Sequence, residues 1–285
     1  MPSSRRQLSG FTLIEAVLVI VLTGVLMVIV AQFIVTPVQI YLNTNQRVQL
    51  VNQADLSLRR MARELAISLP NSVRVTSTAS SSTLELIPST GAARYASEGA
   101  GKLDFGTLDT SFDLVGLPLT LAASQQLVFY NLGPSVPDAN AYADNSSAVT
   151  QASSNRRMAT NGAGSASTIT ISSLAALPAT LLAPPFRVYA VEQPITYRCD
   201  RTAGTLTRYS GYGFVAVQPD PPSGGSSALL ARGVSACNFS YENAIVAARA
   251  ALVSLSLSLT AKVEGPGSGT ETVSLYRAVH VDNLP

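Results

Sequence analysis

Three regimes of hydrophobic patterning divide the chain. From Phe11 to Val35 nearly every side chain is aliphatic, a run of about 25 residues, long enough for a helix to span a bilayer. Beyond Pro37 the pattern changes. Val48, Val51, Ala54, Leu58, Met61, Ala62, Leu65 and Leu69 recur every three or four positions, opposite Arg47, Gln49, Asn52, Asp55, Arg59, Arg63 and Glu64. This is the stripe of an amphipathic helix, and Asp55 and Arg59 sit at a favourable i,i+4 spacing. Pro37 is expected to kink the helix and Pro70 to stop it. One helix over 11–69 follows, with an all-apolar half at 11–36 and a stem at 37–69 that has a single greasy face.

From Ser72 onward the period is two. Runs rich in β-branched and aromatic residues predict strands at 73–76, 83–87, 127–130, 168–171, 186–191, 195–199 and 206–209. The clearest is 253–263, where Val253, Leu255, Leu257, Leu259, Ala261 and Val263 alternate with Ser254, Ser256, Ser258, Thr260 and Lys262. Such alternation needs one buried face. Gly265-Pro266-Gly267-Ser268-Gly269 turns it back into 272–281, an antiparallel hairpin. The Asn/Ser/Ala-rich stretch 133–167 and the Pro/Gly/Ser-rich stretch 219–227 read as exposed, mobile loops. The expected class is α+β: a long N-terminal transmembrane and stem helix packed on a β-rich, mainly antiparallel domain over 70–285.

Composition narrows the function. The chain has 285 residues, 13% of them charged, with net charge +2; so even a balance gives no electrostatic case for nucleic acid. Cys199 and Cys237, the only cysteines, each alternate with buried-type residues, so both thiols point to one core and predict a single disulfide. Closing that loop contributes at most roughly 4 kcal/mol. Their spacing matches no zinc pattern, and neither metal nor cofactor is expected. His280 is the only histidine; without a G-x-S-x-G elbow it reads as a polar strand residue, not as part of a triad. Asp104, Asp109 and Asp113 lack the spacing of a calcium loop. Gly211-Tyr212-Gly213 lacks the remaining motif and the helix of a phosphate cradle. No catalytic residue is expected.

The amino-terminal stretch carries the strongest signal. A short basic leader with Arg5 and Arg6 precedes Gly10, and the plausible cleavage point after Gly10 lies before the apolar run, whereas a secretory peptidase cuts behind it. A cut there keeps the helix and makes Phe11 the new terminus. Arg5 and Arg6 place the leader in the cytoplasm and the bulk of the chain across the membrane. Glu15 is the one charged residue between Arg6 and Arg47, and an intramembrane acid calls for a functional partner. A plain single-pass anchor with a snorkelling Glu15 is the simpler alternative.

Gly10-Phe11-Thr12-Leu13-Ile14-Glu15 and the run behind it closely resemble the processing site of type IV pilins and type II secretion pseudopilins. The resemblance implies a pilin-like fold, cleavage by a membrane prepilin peptidase between Gly10 and Phe11, and N-methylation of Phe11. It implies that Glu15 meets a neighbouring subunit's Phe11 amine and so sets filament register. Implied partners are other pilins and minor pilins, the peptidase and an inner-membrane assembly platform. The protein would sit in a bacterial inner membrane with its domain in the periplasm, where a disulfide persists, before entering a pilus. Farther on, Pro70-Asn71-Ser72-Val73-Arg74-Val75, Tyr197-Arg198-Cys199-Asp200, Gly204-Thr205-Leu206-Thr207-Arg208-Tyr209, the stretch from Gly233 through Cys237 to Glu242, and the closing Val279 to Pro285 resemble pilus-biogenesis proteins of the mannose-sensitive haemagglutinin (MSHA) type. A domain of about 215 residues is large beside a repeating pilin and fits a filament tip more easily. The other readings are a minor pseudopilin, a tip adhesin that binds through 133–167 and 219–227, and a membrane-tethered hydrolase built on His280.

Overall fold

The computed structural model describes residues 10–242, 250–263 and 269–285. Most of the leader and the expected turn at 265–268 lie outside the described residues. The chain divides into two compact units, one of residues 1–49 and 261–271, the other of residues 50–260 and 272–285.

A single helix, α1, runs over Leu13–Ala66, about 81 Å at 1.5 Å per residue. It passes through Pro37 without ending and stops three residues before the expected boundary at 69. In the first unit every side chain from Phe11 to Ile34 is exposed, and Arg47 pairs with Glu271 at 3.2 Å.

In the second unit the stem face is Leu50, Ala54, Leu58, Met61 and Leu65, all buried. Val48, assigned to that face by spacing, is 50% exposed, and Leu50 stands in its place. The polar side holds Asp55 and Arg59 at 2.6 Å. Glu64 leaves that side: the Tyr197 hydroxyl donates to it, and Arg208 Nε reaches both of its oxygens at 3.2 Å.

The next elements are β1 (Arg74–Ser77), β2 (Ser81–Leu86), β3 (Ser89–Tyr95), β4 (Ser111–Val115), β5 (Leu119–Leu121), β6 (Gln126–Phe129), the single-turn helix α2 (Ala148–Gln151), β7 (Arg156–Ala159), β8 (Gly164–Ala166) and β9 (Thr168–Ser172). After a 3-10 turn at Ala179–Leu181 come β10 (Arg187–Val191), β11 (Ile195–Asp200), β12 (Thr205–Ser210), β13 (Ser226–Arg232), β14 (Val234–Glu242), β15 (Ala250–Val263) and β16 (Gly269–Asp282).

Among the described residues these make a five-stranded sheet β1-β2-β11-β12-β13, a three-stranded sheet β14-β15-β16, a small β5-β8 pair, and a closed barrel β10-β3-β4-β9-β7-β6. The described pairings are antiparallel. The class is therefore α+β, with a barrel that periodicity alone did not announce.

The barrel closes around aromatic side chains. The Tyr95 ring lies 5.8–6.2 Å from Phe105, Phe112, Phe129 and Phe186, mostly edge to face, the arrangement that ring quadrupoles favour. A second cluster of Leu69, Ile87, Val128, Ala141, Tyr142, Tyr189 and Val191 fills the space between the barrel wall and the end of α1. In β15, Val253, Leu255, Leu257 and Leu259 are fully buried while the serines between them are not. Between β13 and β14, Gly233 has φ +71°, and a Cβ there would meet the Thr260 carbonyl at 2.5 Å, so only glycine fits this turn.

The stretch 133–167 is corrected most. It is not a mobile excursion: it contains α2, β7 and β8 and buries Ala139, Ala141, Tyr142, Asn155, Arg156 and Arg157. Arg157 is fully buried and donates to the carbonyls of Gln151, Ser154, Arg156, Ala175 and Ala176 and to Ser173 Oγ. Arg156 donates to the carbonyls of Ala141 and Ala143 and to Asn145 Oδ1, and its guanidinium lies 3.7 Å over the Phe214 ring. Burial lowers both guanidinium pKa values to about 10. A polar, apolar-poor segment thus folds around two cations that organise its carbonyls, so composition alone misreads it.

Truncating Arg157 to Ala leaves five carbonyls without that donor in a dry interior. Equilibrium unfolding is expected to show a loss of about 3 kcal/mol or more, against about 2–5 kcal/mol for Leu257→Ala in the apolar face of β15.

Candidate processing and assembly site

Thr12 precedes the first helical residue and acts as the cap of α1. Its carbonyl accepts from the Glu15 and Ala16 amides at 3.1 Å, and its Oγ1 accepts from Glu15 N at 3.4 Å. Thr12 and Glu15 stand at N-cap and N3, the spacing of a capping box. Glu15 is also the acid in the first turn, where the positive end of the helix dipole favours a carboxylate. Hydrophobic spacing alone does not mark Thr12, although T-x-x-E before an apolar run is a readable helix-start signal.

Gly10 and Phe11 precede this cap outside the helix, and Phe11 is 74% exposed. The Gly10–Phe11 bond therefore lies in non-helical backbone two residues ahead of the helix start. α1 is the one helix among the described residues that is long and apolar enough to cross a membrane. Two of its hydroxyls are satisfied within it: Thr23 Oγ1 donates to the Val19 carbonyl at 2.6 Å and Thr44 Oγ1 to Ile40 at 2.8 Å. Glu15, by contrast, presents an exposed side chain.

The disulfide joins Cys199 of β11 to Cys237 of β14, with Cα atoms 6.5 Å apart, and so staples the five-stranded sheet to the three-stranded one. Both residues are buried, as their alternation implied. Arg201 donates to the Cys237 carbonyl at 3.1 Å and to the carbonyls of Thr78 and Ser81, bracing the same junction.

The residues set aside as non-catalytic do local work. Asp109 accepts from the amides of Asp104 and Ser111, Lys102 pairs with Asp104 at 2.9 Å, and Asp113 accepts from Thr168 Oγ1 at 2.6 Å. His280 lies exposed on β16. Tyr212, between its two glycines, donates to Glu85 at 2.7 Å.

Glu85 is fully buried and pairs with Arg74 at 2.5 Å; Arg74 stacks 3.7 Å over the Tyr142 ring and donates to the carbonyls of Val215 and Ala216. Burial pushes the Glu85 carboxyl up, against the pull of Arg74 and Tyr212. Another ion-pair set, Arg198 with Asp200 at 2.6 Å and Asp220 at 2.5 Å, ties the start of the 219–227 stretch to β11.

No family model, curated protein or solved structure matches the chain. The functional reading therefore rests on the residues themselves. The described geometry supports a capped, membrane-competent helix carrying a lone acid at its start, joined to a disulfide-stapled β-rich unit.

Two measurements check this geometry. Replacing both cysteines by serine is expected to lower stability by up to about 4 kcal/mol for a loop of this length, read by denaturant unfolding with and without reductant. The Asp200 carboxyl is held below its ordinary value by the Ala203 amide and Arg198, and Asp220 by Ser81 and Arg198 against the opposing effect of burial. Their contribution is therefore present above pH 3.8 and lost as pH falls through the lowered values. Asp220→Asn is expected to cost up to about 1 kcal/mol at pH 7, because the pair is partly solvated. Variant and parent should converge as pH falls below the ordinary carboxylate range.

Proposed function

We propose that this chain is a minor, pilin-like subunit of a type IV pilus of the MSHA type, most similar to the O protein of MSHA pilus biogenesis. In this reading a prepilin peptidase cuts between Gly10 and Phe11, Phe11 is N-methylated, and α1 stays in the inner membrane with the β-rich unit in the periplasm. The protein then joins other minor pilins in a tip complex that initiates assembly. It is not an enzyme.

One observation carries the reading. G-F-T-L-I-E stands at the start of α1, and behind it every side chain through Ile34 is exposed and nearly all are apolar. Such a surface needs lipid or other helices around it. The Glu15 carboxylate and a freed Phe11 amine are each expensive in lipid, and they offset one another where two helices stack. That pairing sets an axial register. A retained Glu15 also accepts a neighbour's amine, which places another minor subunit above this one.

Intact-mass analysis of the membrane-purified protein should show a chain that begins at methylated Phe11. An unprocessed leader in cells that assemble filaments contradicts the reading. Gly10→Ala should leave the heavier preprotein, whereas Glu15→Ala should be cleaved normally yet yield sharply fewer pili. Unchanged piliation would remove the register role. A defect in protein secretion with normal piliation would assign the chain to a type II secretion system instead.

A further inference from the structure

Three stretches far apart in sequence meet where the chain leaves α1. Asn71, in the turn after the helix, has φ +58°. Its amide donates to Asn283 Oδ1 at 3.2 Å, and its side-chain nitrogen donates to the Asn283 carbonyl at 3.0 Å and to the Asn131 carbonyl at 2.9 Å. Asn283 is 2% exposed and donates through Nδ2 to the Tyr241 hydroxyl of β14 at 3.0 Å. Tyr189 of the barrel strand β10 donates its hydroxyl to the Leu284 carbonyl at 3.1 Å. From the other side, Asn131 donates to the Pro70 carbonyl at 2.7 Å. Residues 283–285 thus run past the end of β16, and Asn283 and Leu284 tie the helix-exit turn, the three-stranded sheet and the barrel together.

We propose that residues 283–285 are a strap that opens and closes as a local unit over the Pro70–Asn71 turn while the barrel and sheets stay folded. The ties are hydrogen bonds from Asn283, Asn71, Tyr241 and Tyr189, whereas Leu284 and Pro285 are only half-buried. Segments held by polar bonds with little apolar burial open at lower free energy than the core they lie on. The strap also borders a cavity of about 320 Å³ lined by Ile67, Ser68, Pro70, Thr90, Tyr189 and Asp282. Opening frees the Tyr189 hydroxyl into that cavity and releases the left-handed Asn71 turn that sets the direction from α1 into β1. The inference stands independently of the pilus reading.

Amide hydrogen exchange on the full-length chain in detergent micelles tests it. The Asn71 and Leu284 amides should exchange about tenfold or more faster than those of Val128 in the barrel and Leu257 in β15. Asn283→Ala should speed Asn71 by a further factor of about ten with Val128 and Leu257 unchanged. Asn71 exchanging as slowly as Val128, or all sites speeding up in parallel, would show that the segment is simply part of the global core. Should Asn283→Ala fail to fold, Tyr189→Phe removes only the hydroxyl that reaches Leu284. Because the Asn71 amide donates to Asn283 of the strap, faster exchange at Asn71 with an unchanged Val128 supports the strap, and an unchanged Asn71 overturns it.

Discussion

Among the described residues, the first half of α1 keeps a bare apolar surface. From Phe11 to Ile34 its side chains are exposed, while the backbone is helical from Leu13 onward. Thr23 and Thr44 turn their hydroxyls back onto carbonyls four residues earlier, removing two groups that would otherwise demand water. What remains is an apolar rod with one carboxylate near its capped start. Its conformation is self-sufficient, but its surface is not, and lipid or neighbouring helices must supply the rest. That division governs the molecule: the other unit carries its own cores, sheets and disulfide, while the rod depends on its surroundings.

Within the second unit, α1 changes role without changing conformation. Leu50 through Leu65 bury one stripe, and Glu64, on the flank of that stripe, is drawn to Tyr197 and Arg208. A carboxylate this enclosed needs both partners, because removing either leaves a charge in a low-dielectric site. The same logic recurs at Glu85 with Arg74 and Tyr212. These pairs fix directions more than they add stability. They decide how β1, β12 and the loop after Tyr212 meet apolar faces that by themselves would tolerate sliding.

The two consecutive arginines of β7 do for backbone what carboxylates do elsewhere. Arg156 and Arg157 gather carbonyls from 141–154 and 175–176 around their guanidinium groups, giving a segment with few apolar side chains a reason to be compact. Asparagine plays the matching part at the helix exit, where Asn71, Asn131 and Asn283 supply both donors and acceptors and leave little of the turn unpaired.

Local periodicity was enough to specify the long helix, its apolar and amphipathic halves, the C-terminal pair of strands and the inward-facing cysteines. In those elements each residue's environment follows from its own neighbours at spacing two or three to four. The lone Glu15 stands out for the same reason: it interrupts a uniform apolar pattern. The barrel was not legible. β3 reads S-T-G-A-A-R-Y and β7 reads R-R-M-A, and at the edge of the five-stranded sheet β13 reads S-S-A-L-L-A-R, none with the β-branched alternation that marks a strand. They are strands because β10, β6, β9 and β12 offer them hydrogen-bonding edges. Strand formation there is a property of the pairing and not of the peptide. Tertiary structure alone likewise placed Glu64 inward, folded 133–167 around its arginines and brought Asn71, Tyr241 and Asn283 together. Glu64, Asn71 and Asn283 find partners 42 to 212 residues away, and the arginines reach carbonyls up to 19 residues off, beyond what a pattern of period two to four records.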